Sequence, residues 1–113
     1  KLMADLQPAL FLDRDGVINV DHGYVARVED WQWIEGAADC VSTFKARGWF
    51  VFIVTNQSGI AFDHYTEADM EAVHAHMQSG FTQAGTAVDQ IYACPFHHEG
   101  TNPRYRKDSF DRK

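Results

Sequence analysis

Short apolar runs alternate with amphipathic segments along this chain. Residues 8–12 and 49–54 are continuously apolar, which is typical of strands buried on both faces of a parallel sheet. Residues 88–93 form a third, weaker run. Between the runs, apolar residues recur at helical spacing. The pattern therefore predicts the order strand, helix, strand, helix, strand.

Both predicted helices carry recognisable end signals. The first covers residues 36–47, and Gly48 follows it as a C-terminal stop. The second covers residues 66–79 and opens on Thr66 and Asp69, which resemble a capping box. Strands that alternate with helices favour right-handed crossovers and a parallel sheet. The predicted class is therefore α/β.

Length and charge narrow the possible functions. The 113 residues fit a single domain, 1–113, and the polar tail 97–113 is predicted to be a long loop. A net charge of −6 disfavours nucleic-acid binding. No apolar run approaches the roughly 20 residues that span a bilayer, and no signal-peptide pattern occurs. Cys40 and Cys94 are expected to be reduced thiols in a cytoplasmic monomer.

The carboxylates of Asp13 and Asp15 lie where the first apolar run ends, with Gly16 behind them. Thr55 and a run of amide residues end the second strand. Ligands of open α/β sheets bind beyond the carboxyl ends of the strands, so these groups are predicted to share one crevice. Paired carboxylates suit Mg²⁺; one could attack phosphorus while the other moves a proton. A calcium loop or an ordinary turn could contain the same D-x-D-G pattern.

The stretches FLDRDGVIN and VTNQSGI resemble the first two motifs of the haloacid-dehalogenase superfamily. More narrowly, DRDGVINVDHGYV, followed by TEA and IYACP, is similar to the group that hydrolyses heptose bisphosphate or histidinol phosphate. The resemblance implies a three-layer sandwich with a Rossmann-like sheet. It also implies Mg²⁺-dependent hydrolysis of a small phosphorylated sugar through an aspartyl-phosphate, with heptose bisphosphate as the favoured substrate.

The same resemblance implies a role for each matching residue. Asp13 would be the nucleophile and Asp15 the general acid and base, and both would bind Mg²⁺. Thr55 would steady the phosphoryl group, and Lys113 would neutralise its charge. The residues expected to line the substrate site are Arg14, Asp21, His22, Gly23, Tyr24, Asn56, Gln57, Ser58 and Arg112.

The zinc loop of many relatives is altered here. Only Cys94 remains of four ligands: Phe96 stands where a histidine is expected, and residues 109–111 replace Cys-x-Cys. Structural zinc favours several thiolates, so zinc is not expected. Instead, Phe96 and Phe110 are expected to pack together. If a substitute zinc site did form in this loop, its other donors would be His97, His98 and Asp111.

The resemblance also implies a further strand after residue 113, with an acidic motif that completes the Mg²⁺ site. Domain 1–113 is therefore expected to be incomplete, with poor or no activity alone. Two alternatives remain open: a histidinol-phosphate phosphatase, or a non-catalytic module with this fold. His74 and His76 lie two positions apart on the second predicted helix and are expected to be surface residues.

Overall fold

The computed structural model describes residues 6–109 and 112–113. Three parallel strands form one sheet in the order β1-β2-β3, so the α/β prediction is confirmed. Within the described residues, no helix has the length and apolar character needed to cross a membrane. In chain order the elements are β1 (Ala9–Leu12), a 3-10 turn (Val28–Asp30), α1 (Ala37–Ala46), β2 (Phe50–Asn56), α2 (Glu67–Gln83) and β3 (Gln90–Cys94).

The core lies on one face of the sheet, under both helices. Each crossover advances to the next strand in the same direction, and crossovers of one hand then place both helices on the same side. Alternate β2 residues, Val51 and Ile53, are fully buried on this side. The helix residues packed with them in one apolar cluster are Ala37, Val41, Val73, Met77 and Phe81.

The opposite face of the sheet is apolar but uncovered. Phe11 is 63% exposed, Phe50 40% and Tyr92 52%, and Phe52 links them through ring contacts of 5.2–5.9 Å. The prediction that these strands are buried on both faces is therefore wrong for the described residues. An unbroken apolar run indicates that both faces of a strand are hydrophobic, but it does not show which segment covers the second face.

Helix α2 ends later than its sequence pattern indicates. The capping box forms: Asp69 N–H donates to Thr66 Oγ1 at 3.1 Å, and Thr66 N–H donates to Asp69 Oδ2 at 2.9 Å. At the other end, the predicted helix stops at residue 79, but in the structure Gly80 lies inside a helix that continues to Gln83. A Cβ at Gly80 would lie 2.2 Å from the Trp33 ring, so the absent side chain lets the helix approach that ring.

This contact predicts an inverted effect for Gly80→Ala. In an exposed helix, alanine stabilises by about 1 kcal/mol relative to glycine. Here the added methyl group must displace a packed indole, and overpacking costs about 1–3 kcal/mol. Urea unfolding should therefore show a destabilised protein, whereas Ser79→Ala at the neighbouring exposed position should be neutral or stabilising. A stabilised Gly80→Ala protein would contradict the Trp33 contact.

The C-terminal segment folds back as a loop over the turn that follows β2. Tyr105 packs with Ile60, Ala61 and Tyr65 in a second buried cluster. Asn102 N–H donates to the Ala61 carbonyl at 2.9 Å. This packing brings the chain end to the carboxyl edge of the sheet. Phe110 and Asp111 lie outside the described residues, so the predicted Phe96–Phe110 contact and the Asp111 metal donor remain predictions.

Candidate active site

The ends of β1 and β2 open on a small polar cavity of about 120 Å³. Its position at the carboxyl edge of the sheet is where an α/β fold exposes the turns that follow its strands. All four predicted catalytic residues and two of the predicted substrate residues meet there. The cavity is lined by Asp13, Arg14, Asp15, Thr55, Asn56 and Lys113.

Asp13 is the open carboxylate of the cavity. Its side chain is 55% exposed, and the Lys113 ammonium forms an ion pair with Oδ1. Asn56 holds the backbone of that lysine: its Oδ1 accepts from Lys113 N–H at 3.0 Å, and its Nδ2 donates to the Lys113 carbonyl at 3.4 Å. The second strand thus places a cation against the carboxylate of the first.

Asp15, by contrast, is held by hydrogen bonds on both oxygens. Its Oδ1 accepts from Arg14 Nε at 3.0 Å, from Arg14 Nη2 at 2.6 Å and from Asn19 Nδ2 at 3.0 Å. Its Oδ2 accepts from Gln57 Nε2 at 3.1 Å. The two neighbouring carboxylates therefore differ: one is accessible, and the other is fixed in orientation.

The Gln57 side chain is oriented by its neighbours. Its Nε2 donates to Asp15 Oδ2 and, at 2.8 Å, to Thr55 Oγ1. Its Oε1 accepts from the Tyr65 hydroxyl. Burial raises the pKa of Tyr65 well above its ordinary value. The positive charge of Arg14 opposes this shift, and the negative charge of Asp15 adds to it. Tyr65 therefore stays protonated and fixes which end of the Gln57 amide faces the carboxylate.

Arg14 and His74 form a buried contact below the cavity. Arg14 is 1% exposed, its guanidinium lies 5.8 Å from the Trp31 ring centroid, and its Nη1 is 3.1 Å from His74 Nε2. The expectation that His74 is a surface residue is wrong, because α2 turns it toward this guanidinium; His76 is exposed. Burial, and then the positive charge of Arg14, lower the pKa of His74 to about 4.

The depressed pKa of His74 predicts a stability loss in acid. The unfolded chain takes up a proton on this histidine near pH 6.5, whereas the folded chain does so only near pH 4, so stability falls as pH drops through that window. One pKa unit corresponds to about 1.4 kcal/mol, which gives a loss of about 3 kcal/mol. Urea unfolding of wild type and His74→Leu at pH 7 and pH 4.5 should show a steeper loss for wild type; equal slopes would contradict this prediction.

The predicted sugar-contacting loop makes its own local contacts. Asp21 Oδ1 accepts from Gly23 N–H at 3.1 Å, and His22 Nε2 donates to the Asp30 carbonyl at 2.8 Å. Tyr24 is half exposed and stacks on His64, with 4.5 Å between ring centroids. Tyr24 therefore packs against the turn after β2, and none of these residues lines the cavity itself.

Two further predicted substrate residues also lie outside the cavity lining. The Ser58 carbonyl accepts from Phe62 N–H at 3.2 Å, within the turn after β2. Arg112 Nη1 donates to the Phe96 carbonyl at 3.3 Å, which ties the chain end to the loop after β3. Gln57 does not line the cavity and Arg14 does, but both side chains are buried and both donate to Asp15.

Three residues that hold the site were not singled out as site residues from the sequence: Asn19, Tyr65 and His74. Asn19 is fully buried and donates to Asp15; the predicted motif includes it without a role. Tyr65 and His74 reach the site through tertiary packing, and helical periodicity alone treats His74 as one more polar position. A buried polar residue needs a partner, but sequence does not name that partner.

The cavity supplies oxygen ligands of the kind Mg²⁺ prefers. The open Asp13 carboxylate and the turn of Asp15 offer hard donors, and Mg²⁺ commonly keeps several waters besides one or two carboxylates. Among the described residues, no group of three or more acidic, histidine or cysteine side chains converges. His97 and His98 stack on each other at 4.7 Å between ring centroids, and Cys94 is buried at the end of β3. The zinc prediction is left untested by this arrangement.

Proteins with similar sequences are named as phosphatases. The chain is 42% identical over 105 residues to the D-glycero-beta-D-manno-heptose-1,7-bisphosphate 7-phosphatase of Escherichia coli K12, and 43% identical over 103 residues to that of Rhodopseudomonas palustris. The chain is similar in sequence to these phosphatases over most of its own length. The matches cover 93% and 91% of this chain but 55% and 57% of the relatives, so it spans about half their length. No protein-family model matches the chain.

Solved structures carry the same fold. A candidate HAD-like phosphatase from Mesorhizobium loti superposes with a TM-score of 0.87 at 36% identity, over 95% of this chain and 51% of that one. The D,D-heptose 1,7-bisphosphate phosphatase of B. bronchiseptica, solved with magnesium and phosphate, gives 0.78 at 32% identity, over 82% and 52%. The resemblance to haloacid-dehalogenase phosphatases found in the sequence is therefore confirmed.

Proposed function

We propose that this chain carries the nucleophile half of a Mg²⁺-dependent phosphatase that hydrolyses a phosphorylated sugar, with D-glycero-D-manno-heptose 1,7-bisphosphate converted to the 1-phosphate. The observation that carries the proposal is the asymmetry of the two carboxylates. Asp13 is open and faces a lysine, whereas Asp15 is held by donors on both oxygens. Two carboxylates in different surroundings suit two different chemical roles.

In the first step, an Asp13 oxygen attacks phosphorus and the bond from phosphorus to the sugar oxygen breaks. Asp15 gives its proton to that leaving oxygen, which departs as the alcohol. In the second step, water attacks the aspartyl-phosphate, Asp15 takes the proton from that water, and inorganic phosphate leaves. Asp13 returns to a carboxylate and Asp15 to its protonated form, so atoms and protons balance.

The remaining residues manage charge and position. Lys113 lies against Asp13, where it would offset negative charge on the phosphoryl oxygens. Thr55 lines the same cavity and is buried, and its Oγ1 accepts a hydrogen bond from Gln57. When bound, Mg²⁺ would add positive charge beside the phosphoryl group; Asp13 and Asp15 are the residues that would hold it.

The proposed substrate rests on the names of the relatives and on the acidic net charge of the chain. Both curated relatives are named for the heptose bisphosphate, and the net charge of −6 disfavours a polyanion such as nucleic acid. A small dianionic phosphate group needs only the local charge of Lys113 and a metal ion.

The test is phosphate release with Mg²⁺ from heptose 1,7-bisphosphate and from histidinol phosphate, comparing wild type with Asp13→Asn. We expect residues 1–113 to work slowly, because the described residues bring only two carboxylates to the cavity. Slow turnover still leaves a phosphate adduct on Asp13, which mass spectrometry of quenched protein detects. If adduct and release occur with histidinol phosphate alone, that ester replaces the heptose bisphosphate as the proposed substrate. If both adduct and release are absent with either ester, the result favours a non-catalytic module.

A further inference from the structure

We propose that Arg14 and His74 act as a buried positioning pair for Asp15: His74 fixes the guanidinium, and the guanidinium fixes the carboxylate. The inference rests on the proposed function, since it takes Asp15 as the group that moves the proton. It assigns a role in the reaction to a helix residue that lies outside the cavity.

The direction of each hydrogen bond follows from chemistry. Arginine only donates, so the 3.1 Å contact requires His74 Nε2 to accept and therefore to carry no proton. The ring is then neutral, with its proton on Nδ1. This state agrees with the lowered pKa of His74, which burial causes. The other two guanidinium nitrogens, Nε and Nη2, both donate to Asp15 Oδ1.

An anchor at the far end of Arg14 is needed for this geometry. Arg14 and Asp15 are adjacent in sequence, and an arginine side chain has several rotatable bonds, so adjacency alone does not fix their contact. His74 is 60 positions away and lies on α2, which is packed into the core. It holds Nη1, and the Trp31 ring lies beside the guanidinium. A buried guanidinium that lost a partner would be costly, so the contacts reinforce one another.

The pair also selects which oxygen of Asp15 does chemistry. Oδ1 accepts three hydrogen bonds, two from Arg14 and one from Asn19. These three bonds occupy its lone pairs. Oδ2 accepts one, from Gln57, and keeps capacity for a proton. Holding Oδ1 therefore leaves Oδ2 as the oxygen that can carry the proton. Misplacement of a reacting group by about 1 Å is enough to cost roughly 10²-fold in rate.

The test compares three variants of the chain. His74→Leu keeps the volume but removes the acceptor, His74→Gln restores an acceptor near the Nε2 position, and Glu71→Leu changes an exposed residue of the same helix. We expect kcat for phosphate release to fall roughly 10–100-fold in His74→Leu with KM within about threefold, and to recover largely in His74→Gln. Glu71→Leu should match wild type. A kcat for His74→Leu within twofold of wild type overturns the proposal.

A second readout does not depend on activity. In ¹⁵N-labelled wild type, the His74 resonances should show Nε2 without a proton and Nδ1 with one at pH 7, and the Arg14 Nε–H should exchange slowly with water. His74→Leu should speed that exchange, and His74→Gln should restore it. A protonated Nε2, or exchange unchanged in His74→Leu, overturns the pair. If wild type shows neither phosphate release nor an adduct on Asp13, the proposed function fails, while these signals still decide whether His74 holds Arg14.

Discussion

Replacing Asp13 by asparagine is expected to reduce phosphate release by at least roughly 10³-fold and to abolish the protein-bound phosphate adduct. An amide oxygen is a far weaker nucleophile than a carboxylate, and the covalent step has no substitute in the cavity as described. The measurement is release of inorganic phosphate with Mg²⁺, together with mass spectrometry of the quenched protein.

The change should leave the fold intact, which makes the result specific. Asp13 is more than half exposed, and its ion pair with Lys113 is also partly exposed, so removing it costs little stability. Asp39→Asn, on the first turn of α1, is the matched control and should keep wild-type activity. An Asp13→Asn protein with wild-type release would remove the aspartyl-phosphate mechanism.

The largest stability effect is expected from Ile53→Ala. Ile53 is fully buried at the centre of β2, where it pairs in register with Leu12 and Ile91 and lies under both helices. Large-to-small changes of this kind cost about 2–5 kcal/mol, because the cavity left behind closes only in part. That is a large share of the roughly 5–15 kcal/mol that stabilises a typical domain. Urea unfolding followed by circular dichroism gives the difference.

The preceding residue provides a matched control. Phe52 lies on the same strand but points to the uncovered face, where it touches other aromatic rings and is only half buried. Although phenylalanine is larger than isoleucine, Phe52→Ala should cost less than Ile53→Ala, because less apolar area leaves water when the domain folds. The reverse order would show that the aromatic face is covered in solution.

The polar turns at the strand ends could be read from the sequence with good accuracy. Asp13, Asp15 and Thr55 meet because the carboxyl ends of neighbouring parallel strands share an edge, and that rule needs only the strand order. Lys113 needed the family resemblance, since a terminal lysine by itself is typical of a solvated end. The structure brings it to Asp13 by folding the last segment over the turn after β2.

Other features could not be read in this way, for identifiable reasons. Arg14 stands next to two acidic residues in a loop, where an exposed donor is the ordinary expectation, yet it is buried. Gly80 resembles a helix stop, but it permits close approach to Trp33. In both cases the decisive neighbour is distant in the chain, so no local pattern records it.

Local physics therefore determined the elements of this protein and the chemistry at their ends: apolar runs, helical spacing, the capping box and the paired carboxylates are all properties of adjacent residues. Tertiary structure decided which carboxylate is open and which is fixed, which sheet face is covered, and that His74 contacts the buried Arg14. These outcomes depend on contacts between segments far apart in sequence, whose partners are selected only when the helices pack on the sheet and exclude water.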